Sequence, residues 1–153
     1  MNHLIRNATQ NDHSEIVEMQ LAMAFESEGM KLDLETLQKG VSAVLNDSNK
    51  GTYLIAELDK KISGMLLCIP EWSDWRNGTV IWIHSVFVKP ESRRNGTYRA
   101  LYSHLKSQVE TSPNLRGLRL YVEKNNLKAQ ETYRKLGMRN DHYDLYEWMK
   151  DFL

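Results

Sequence analysis

The sequence predicts an α/β fold in which strands and helices alternate along one compact domain, residues 1–153. Residues 79–88, TVIWIHSVFV, alternate in character and are rich in β-branched and aromatic side chains, which indicates a strand. After Pro90, apolar side chains recur at helical spacing over residues 98–105. There are no internal repeats, low-complexity segments or Pro/Ser-rich linkers, and the length is usual for one domain.

The first third of the chain is predicted to form a strand followed by two helices. Residues 3–9, HLIRNAT, alternate as a short strand, and Asn11 or Asp12 could cap the first helix. The second helix is expected to begin near Asp33, and residues 46–51 form a loop by composition. The apolar side chains expected to face inward from the first helix are Ile16, Val17, Met19, Leu21, Met23 and Phe25.

The rest of the chain continues with strands, and then alternates. Residues 51–70 are expected to be two apolar strands joined at Asp59-Lys60. Residues 71–78, EWSDWRNG, are the expected polar connection to the strand at 79–88. A helix, a strand and a helix follow, and the tail at residues 141–152 could be a strand or a helix.

Composition narrows the class of protein. Twenty basic and twenty acidic side chains cancel, so no long-range field would recruit nucleic acid or an anionic membrane. The lone cysteine, Cys68, excludes an internal disulfide and any multi-cysteine metal site, and the histidines form no metal-binding pair, so no metal is expected. Without a signal-peptide core or a bilayer-length apolar run, we expect a cytoplasmic protein.

The most informative stretch is residues 82–105, WIHSVFVKPESRRNGTYRALYSHL, which runs from a strand through a basic loop into a helix. Peptide N–H groups at a helix start have no intrahelical acceptor, and the helix dipole is positive there, so such a turn suits an anion. Neither GxGxxG nor a P-loop is present. The N–H groups placed at this start belong to Arg94, Asn95, Gly96, Thr97 and Tyr98.

Two motifs resemble the GNAT family of acyl-CoA N-acyltransferases. The family signature is Arg/Gln-x-x-Gly-x-Gly/Ala after a strand that ends in Val-x-Pro, and here Val88-Lys89-Pro90 precedes RRNGTY at residues 93–98. Tyr98 replaces the final small residue, which leaves less room beside a pyrophosphate. The second motif, Asn-x-x-Ala-x-x-x-Tyr-x-x-x-Gly-Phe, corresponds to Asn126, Ala129, Tyr133, Gly137 and Met138, with Met for Phe.

The resemblance implies the GNAT fold, a mixed central sheet of about six to seven strands flanked by about four helices. In that family the central strands splay apart, and the pantetheine arm of acetyl-CoA enters beside an incompletely paired strand. The resemblance therefore implies acetyl-CoA as cofactor. The positions that it assigns to cofactor binding are Val86, Phe87, Val88, Arg93, Arg94, Asn95, Gly96, Thr97, Tyr98, Asn126, Ala129 and Tyr133.

Acetyl transfer to an amine needs a base for the amine and an acid for the departing thiolate. Tyr133 matches the family tyrosine that hydrogen-bonds the CoA sulfur, although it could equally pack one face of its helix. His84 stands where many relatives carry a Glu base, and an imidazole could do that work or simply bond a neighbour within a strand. Asn126 could hold the cofactor arm, cap a helix, or both.

The acceptor is predicted less sharply than the cofactor. Acidic and aromatic side chains can hold a cationic amine, so Glu26, Glu28, Trp72, Asp74 and Trp75 are candidate acceptor-site residues, and the Trp-containing loop could instead be a dimer contact or a packed loop. A faint resemblance to diamine acetyltransferases favours a small amine or polyamine. The alternatives are a protein or peptide N-acetyltransferase and a non-catalytic acetyl-CoA sensor. The family habit and the aromatic tail favour a homodimer.

Overall fold

The computed structural model describes residues 2–150, which form two compact units, residues 2–119 and residues 120–150. The first unit contains five strands, three helices and two short 3-10 turns. In chain order these elements are β1 His3–Asn7, a 3-10 turn Gln10–Asp12, α1 His13–Glu28, α2 Leu34–Asn46, β2 Thr52–Leu58, β3 Lys61–Ser73, β4 Gly78–Val88, a 3-10 turn Pro90–Ser92, α3 Thr97–Thr111 and β5 Leu115–Arg119.

The five strands form one mixed sheet in the order β1-β2-β3-β4-β5. The first four are antiparallel neighbours, and β5 lies parallel to β4 because α3 carries the chain back between them. This confirms the predicted α/β class with a mixed sheet and four helices. The predicted count of about six to seven strands was too high, since residues 2–150 contain five.

The core of the first unit lies between the sheet and the first two helices. The predicted inward positions Ile16, Val17 and Met19 are buried, but Phe25 is 70% exposed. The prediction for Phe25 was wrong because nine residues at 3.6 per turn place it about 180° around the helix from Ile16. The buried face of α1 continues instead through the polar Gln20 and the small Ala24.

A predicted helix start and a predicted turn are confirmed, and one predicted cap differs. Asp33 caps α2 by accepting from the Thr36 N–H at 2.9 Å. Asp59 and Lys60 have φ of 52° and 64°, as expected for the tight turn between β2 and β3. Asp12 directly precedes α1 without a side-chain cap bond, because its carboxylate binds Arg6.

The predicted connection at 71–78 is shorter in the structure. The strand β3 continues through Glu71–Ser73, where Trp72 pairs with Thr79 of β4. Only residues 74–77 form the turn, with φ of 47° at Asn77.

The second unit is built around α4, Leu127–Lys135. Its first turn is capped by the Asn126 side chain, which accepts from the Ala129 N–H at 3.1 Å. Its end is closed by Gly137 in a left-handed conformation, with the Met138 N–H donating to the Tyr133 carbonyl at 3.0 Å.

The C-terminal tail forms neither a strand nor a helix in its described residues. Residues 138–150 contain no helix or strand, and positions 151 and 152 of the predicted element lie outside the described residues. No helix in residues 2–150 is long and apolar enough to cross a membrane.

Candidate functional site

The middle of β4 is irregular. Its register with β3 passes from Ser85 opposite Leu67 to Ile83 opposite Cys68, so His84 is the additional residue of a β-bulge. Bulges turn a side chain out of the regular alternation. The structure therefore sets the predicted base at a point where the strand is locally bent.

His84 is an exposed residue of β4. Neighbouring protein atoms nevertheless displace part of the water around its imidazole ring. This desolvation lowers the pKa of His84 below the ordinary imidazole value, because burial disfavours the charged form. A lowered pKa keeps the ring neutral near pH 7, which is the form that can accept a proton.

The second half of β4 is paired on one side. Val86 and Val88 are half-buried, and Phe87 is buried. Each of the three pairs with a residue of β3, in the register Val86↔Leu66, Phe87↔Met65 and Val88↔Gly64. On the other side β5 pairs only with Thr79–Trp82. Within residues 2–119 no strand continues along that side, which leaves an open edge where the resemblance places the pantetheine arm.

The loop after β4 presents backbone donors. Arg94 and Gly96 both have positive φ, 65° and 79°, and α3 begins at Thr97. The N–H groups of residues 94–97 donate to no acceptor in the part of the chain that the structure describes. Successive N–H groups in such a turn, ahead of a helix, form an anion-binding concavity.

Thr97 fixes the far end of this loop. Its side chain is 2% exposed, and its hydroxyl hydrogen-bonds the His3 Nε2 at 3.0 Å. Its methyl group lies where a Cβ on Gly64 would come within 3.1 Å. The side chain thus anchors the helix start to β1 and β3.

Arg93 fixes the near end. Its Nη1 and Nη2 bind the two carboxylate oxygens of Glu26 at 2.7 and 2.8 Å, and its Nε donates to the Val88 carbonyl at 3.0 Å. The guanidinium lies 5.6 Å from the centre of the Phe87 ring. The Arg93 hydrogen bond holds the pKa of Glu26 below its usual value, and that of Arg93 is raised by the same contact.

The other loop side chains differ from Arg93. Arg94 is exposed and makes no ion pair with a described residue, and Asn95 is half-buried. Tyr98 is half-buried and stacks on Tyr102 with ring centres 6.4 Å apart. This contact places the Tyr98 ring beside that of Tyr102, one turn later in α3.

The acceptor-site candidates fall into two groups. Glu26 and Glu28 lie at the end of α1, where Glu26 is bound to Arg93 beside Val88. Trp72, Asp74 and Trp75 lie at the β3–β4 turn, with the two Trp side chains 65% and 89% exposed. Thr79, opposite Trp72, is nine residues from Val88 along β4, which corresponds to about 30 Å. One rim cannot hold both groups.

Two predicted residues of the second unit have clear local roles. Asn126 and the Ala129 N–H form the α4 cap. Tyr133 is half-buried and lines a pocket of about 120 Å³ with Leu120, Val122, Gln130 and Met138. Arg134, Arg139 and Asn140 complete the pocket lining, and the phenol of Tyr133 supplies a group that can donate a proton.

Sequence reasoning missed the Glu26–Arg93 pair and the bulge. The two partners are 67 residues apart, so no helical spacing signals them. Cys68 was correctly interpreted as a core residue, since burial raises the pKa of its thiol to about 12. The described residues contain no group of His, Cys, Asp and Glu side chains suited to a metal.

Comparisons with known proteins found a family model and solved structures to which this chain is similar. A family model described as the acetyltransferase (GNAT) family matches residues 13–138. A crystal structure of a possible acetyltransferase from Clostridium difficile 630 is 38% identical and superposes with a TM-score of 0.92, covering 99% of this chain and 100% of that one. No curated protein matches significantly by sequence.

More distant structures share the fold. A ribosomal-protein-alanine N-acetyltransferase from Brucella melitensis biovar Abortus 2308 has 14% identity and a TM-score of 0.77, covering 97% of this chain and all of that one. An aminoglycoside N-acetyltransferase in complex with CoA has 13% identity and a TM-score of 0.77, with 98% and 96% covered.

Proposed function

The chain belongs to the GNAT family of acetyltransferases and is an acyltransferase, and from this premise we propose that it transfers acetyl from acetyl-CoA directly to a primary amine. The observation that carries the proposal is the turn at residues 94–97, whose backbone donors stand at the start of α3 directly after an open strand edge.

The residues present fit acetyl-CoA. The N–H groups of residues 94–97 and the positive end of α3 suit its pyrophosphate, and the exposed Arg94 guanidinium can add a charge-assisted contact. The open edge at Val86–Val88 offers peptide groups to the amides of the pantetheine arm, apart from the Val88 carbonyl that Arg93 binds. When bound, the cofactor supplies an activated acetyl thioester.

In the proposed mechanism, neutral His84 accepts the proton that the amine loses as its nitrogen bonds to the acetyl carbon. Coenzyme A would leave as its thiolate, and the Tyr133 phenol would supply the proton for that sulfur. Neutral His84 fits this role because its pKa is lowered, and the bulge bends the strand at its position. Asn126 holds the start of α4, the helix that carries Tyr133.

The role of His84 predicts a change in pH dependence. Since protonation inactivates a base, wild-type kcat/KM should fall as pH drops through the His84 pKa, which lies below about 6.5. His84→Ala should lower kcat/KM about 100-fold near neutral pH and remove this acidic limb. A pH–rate profile checks both points, with His13→Ala as a control on a half-buried ring whose Nε2 hydrogen-bonds the Gln38 backbone carbonyl. A limb that persists in His84→Ala assigns the base to water or another group.

The role of Tyr133 predicts loss of turnover without loss of affinity. Tyr133→Phe keeps the ring that lines the pocket and removes only the hydroxyl, so kcat should fall about 10- to 100-fold while acetyl-CoA affinity changes less than about twofold. Steady-state kinetics and calorimetry measure the two quantities. Turnover at the wild-type level would remove Tyr133 from the mechanism.

For the acceptor, we propose a small amine or polyamine. The exposed carboxylate of Glu28 and the exposed face of Trp75 can attract a cation, although they lie on separate elements, so each defines its own candidate approach. Similar folds include an acetyltransferase crystallised with the aminoglycoside sisomicin, at 22% identity, and one named for ribosomal-protein alanine. These supply the rival acceptor classes.

Acetyl-CoA-dependent release of free thiol across polyamines, amino acids, aminoglycosides and short peptides tests the proposal. A polyamine turned over at least tenfold faster than the other classes supports the acceptor proposed. A peptide acceptor would instead assign protein N-acetylation. Tight acetyl-CoA binding with no turnover of any class would favour the second candidate, a sensor, which Tyr98 in place of a small residue and His84 in place of Glu motivate.

We also propose that the protein works in the cytoplasm as a homodimer. The tail carries the exposed side chains of Tyr143, Tyr146 and Trp148, which a second copy could cover. Light scattering at enzyme concentration should give twice the chain mass of 17.9 kDa. A monomeric mass at micromolar concentration would contradict the dimer.

A further inference from the structure

Arg93 stands at the first position of the family signature, where an arginine invites assignment as a phosphate ligand. In this chain each of its three guanidinium nitrogens already has a protein acceptor. Nη1 and Nη2 bind Glu26, and Nε binds the Val88 carbonyl. The face of the guanidinium lies over Phe87. Two-point pairing of this kind is the strongest geometry available to an arginine.

The pair joins segments that are distant in sequence. Glu26 lies in the last turn of α1, and Arg93 follows the 3-10 turn Pro90–Ser92 at the end of β4. A second link runs parallel to it, since Lys89 binds Glu15 of α1 at 2.8 Å. The start of the phosphate-binding loop is therefore tied to one face of α1 at two points.

The loop between the anchors is short and conformationally costly. Only Arg94, Asn95 and Gly96 separate Arg93 from the buried Thr97, and two of these three have positive φ. A left-handed conformation at a residue with a side chain costs about 1 kcal/mol or more. Such a loop keeps its N–H groups convergent only if both ends are held.

We propose that Arg93 and Glu26 act as positioning residues, which hold the amide turn at residues 94–97 in its anion-binding form, and that the Arg93 side chain does not itself bind the cofactor phosphates. The inference rests on the proposed function, because it concerns how acetyl-CoA is held. It also gives Glu26 a structural partner, which separates it from the exposed Glu28 as a candidate for the amine.

The test is calorimetric titration of acetyl-CoA into the wild type and Glu26→Ala. Loss of the half-exposed pair should weaken binding about 2- to 10-fold, because the turn must then be ordered on binding. A direct phosphate ligand would behave oppositely, since removal of Glu26 would release the guanidinium and leave affinity unchanged or increased. Unchanged or tighter binding by Glu26→Ala overturns the proposal.

A conservative variant separates charge from geometry. Arg93→Lys keeps one positive charge for a phosphate, but loses the two-point contact with Glu26 and the bond to Val88. Positioning predicts that Arg93→Lys binds acetyl-CoA nearly as weakly as Arg93→Ala. Recovery of wild-type affinity by Lys overturns the proposal.

Glu18→Ala is the matched control, with the same charge change on an exposed position two turns earlier in α1, and it should alter affinity less than about twofold. Thermal unfolding without ligand establishes that each variant is folded. A wild type that fails to bind acetyl-CoA overturns the proposed function together with this inference. A wild type that binds, beside a Glu26→Ala variant that binds equally well, overturns this inference alone.

Discussion

The two ends of β4 treat their backbone polar groups in opposite ways. At the Gly78 end, the turn at residues 74–77 directs carbonyl groups toward Arg116, whose guanidinium binds the carbonyls of Arg76 at 3.0 Å and Asn77 at 3.2 Å, and that of Pro113. At the Val88 end, side chains anchor the loop while the N–H groups of residues 94–97 donate to no described acceptor.

The difference explains why only one end suits an anion. At the turn of residues 74–77, backbone carbonyls already accept hydrogen bonds from the Arg116 guanidinium. This turn presents no set of convergent N–H donors to an anion. In the loop before α3, the N–H groups of residues 94–97 have no described acceptor. The side chains at its two ends, Arg93 and Thr97, hold the backbone in place. An arginine near a turn therefore does not by itself indicate an anion site, because Arg116 and Arg93 both bind acceptors within this protein.

The largest effect is expected from the glycine at the loop end. A Cβ on Gly64 would lie 2.7 Å from the Phe87 carbonyl oxygen and 3.1 Å from the Thr97 methyl, and the backbone oxygen cannot move alone. Gly64→Ala should lower the free energy of unfolding by about 3 kcal/mol, measured by denaturant titration, and weaken acetyl-CoA binding. A loss under about 1 kcal/mol would show that this end of the sheet is pliable.

The glycine at the turn end should matter less. A Cβ on Gly78 would lie 2.6 Å from the Arg116 Nε and 2.7 Å from its Cγ, so the Arg116 side chain would have to turn, which is easier than moving the backbone oxygen that faces Gly64. Gly78→Ala should therefore cost about 1 kcal/mol through weakened bonds to the turn carbonyls, with acetyl-CoA affinity unchanged. If it costs as much as Gly64→Ala, the contrast between a rigid and a pliable end fails.

The smallest effect concerns backbone strain at Arg94, where φ is 65°. Arg94→Gly and Arg94→Ala both remove the guanidinium, but only glycine takes this conformation without strain. Arg94→Gly should be more stable than Arg94→Ala by about 1 kcal/mol, less the entropy that glycine adds to the unfolded chain. Thermal melts of the two variants give the comparison, and an Ala variant as stable as the Gly variant would argue against strain.

Local patterns predicted the fold where the cause was local. Asp33, Asp59 and Lys60 marked a helix start and a turn through their own side-chain and backbone preferences. Part of the second motif has a similarly local cause, because Asn126 caps α4 and Gly137 ends it.

Features set by distant partners could not be predicted in this way. The bulge at His84 depends on the register chosen against β3. The Glu26–Arg93 pair depends on the approach of α1 to the end of β4. Each requires the tertiary arrangement, to which sequence spacing is blind.

The burial of Cys68 has a practical consequence for chemistry done on this protein. Its thiol is shielded between strands and stays protonated at assay pH, so a thiol-reactive dye would register coenzyme release without background from the enzyme. Because the Cys68 thiol is unreactive, the wild type is also suited to labelling at a single introduced cysteine. A cysteine introduced at the exposed position 75, at the β3–β4 turn, would react alone and could carry a fluorophore that reports events at that end of β4.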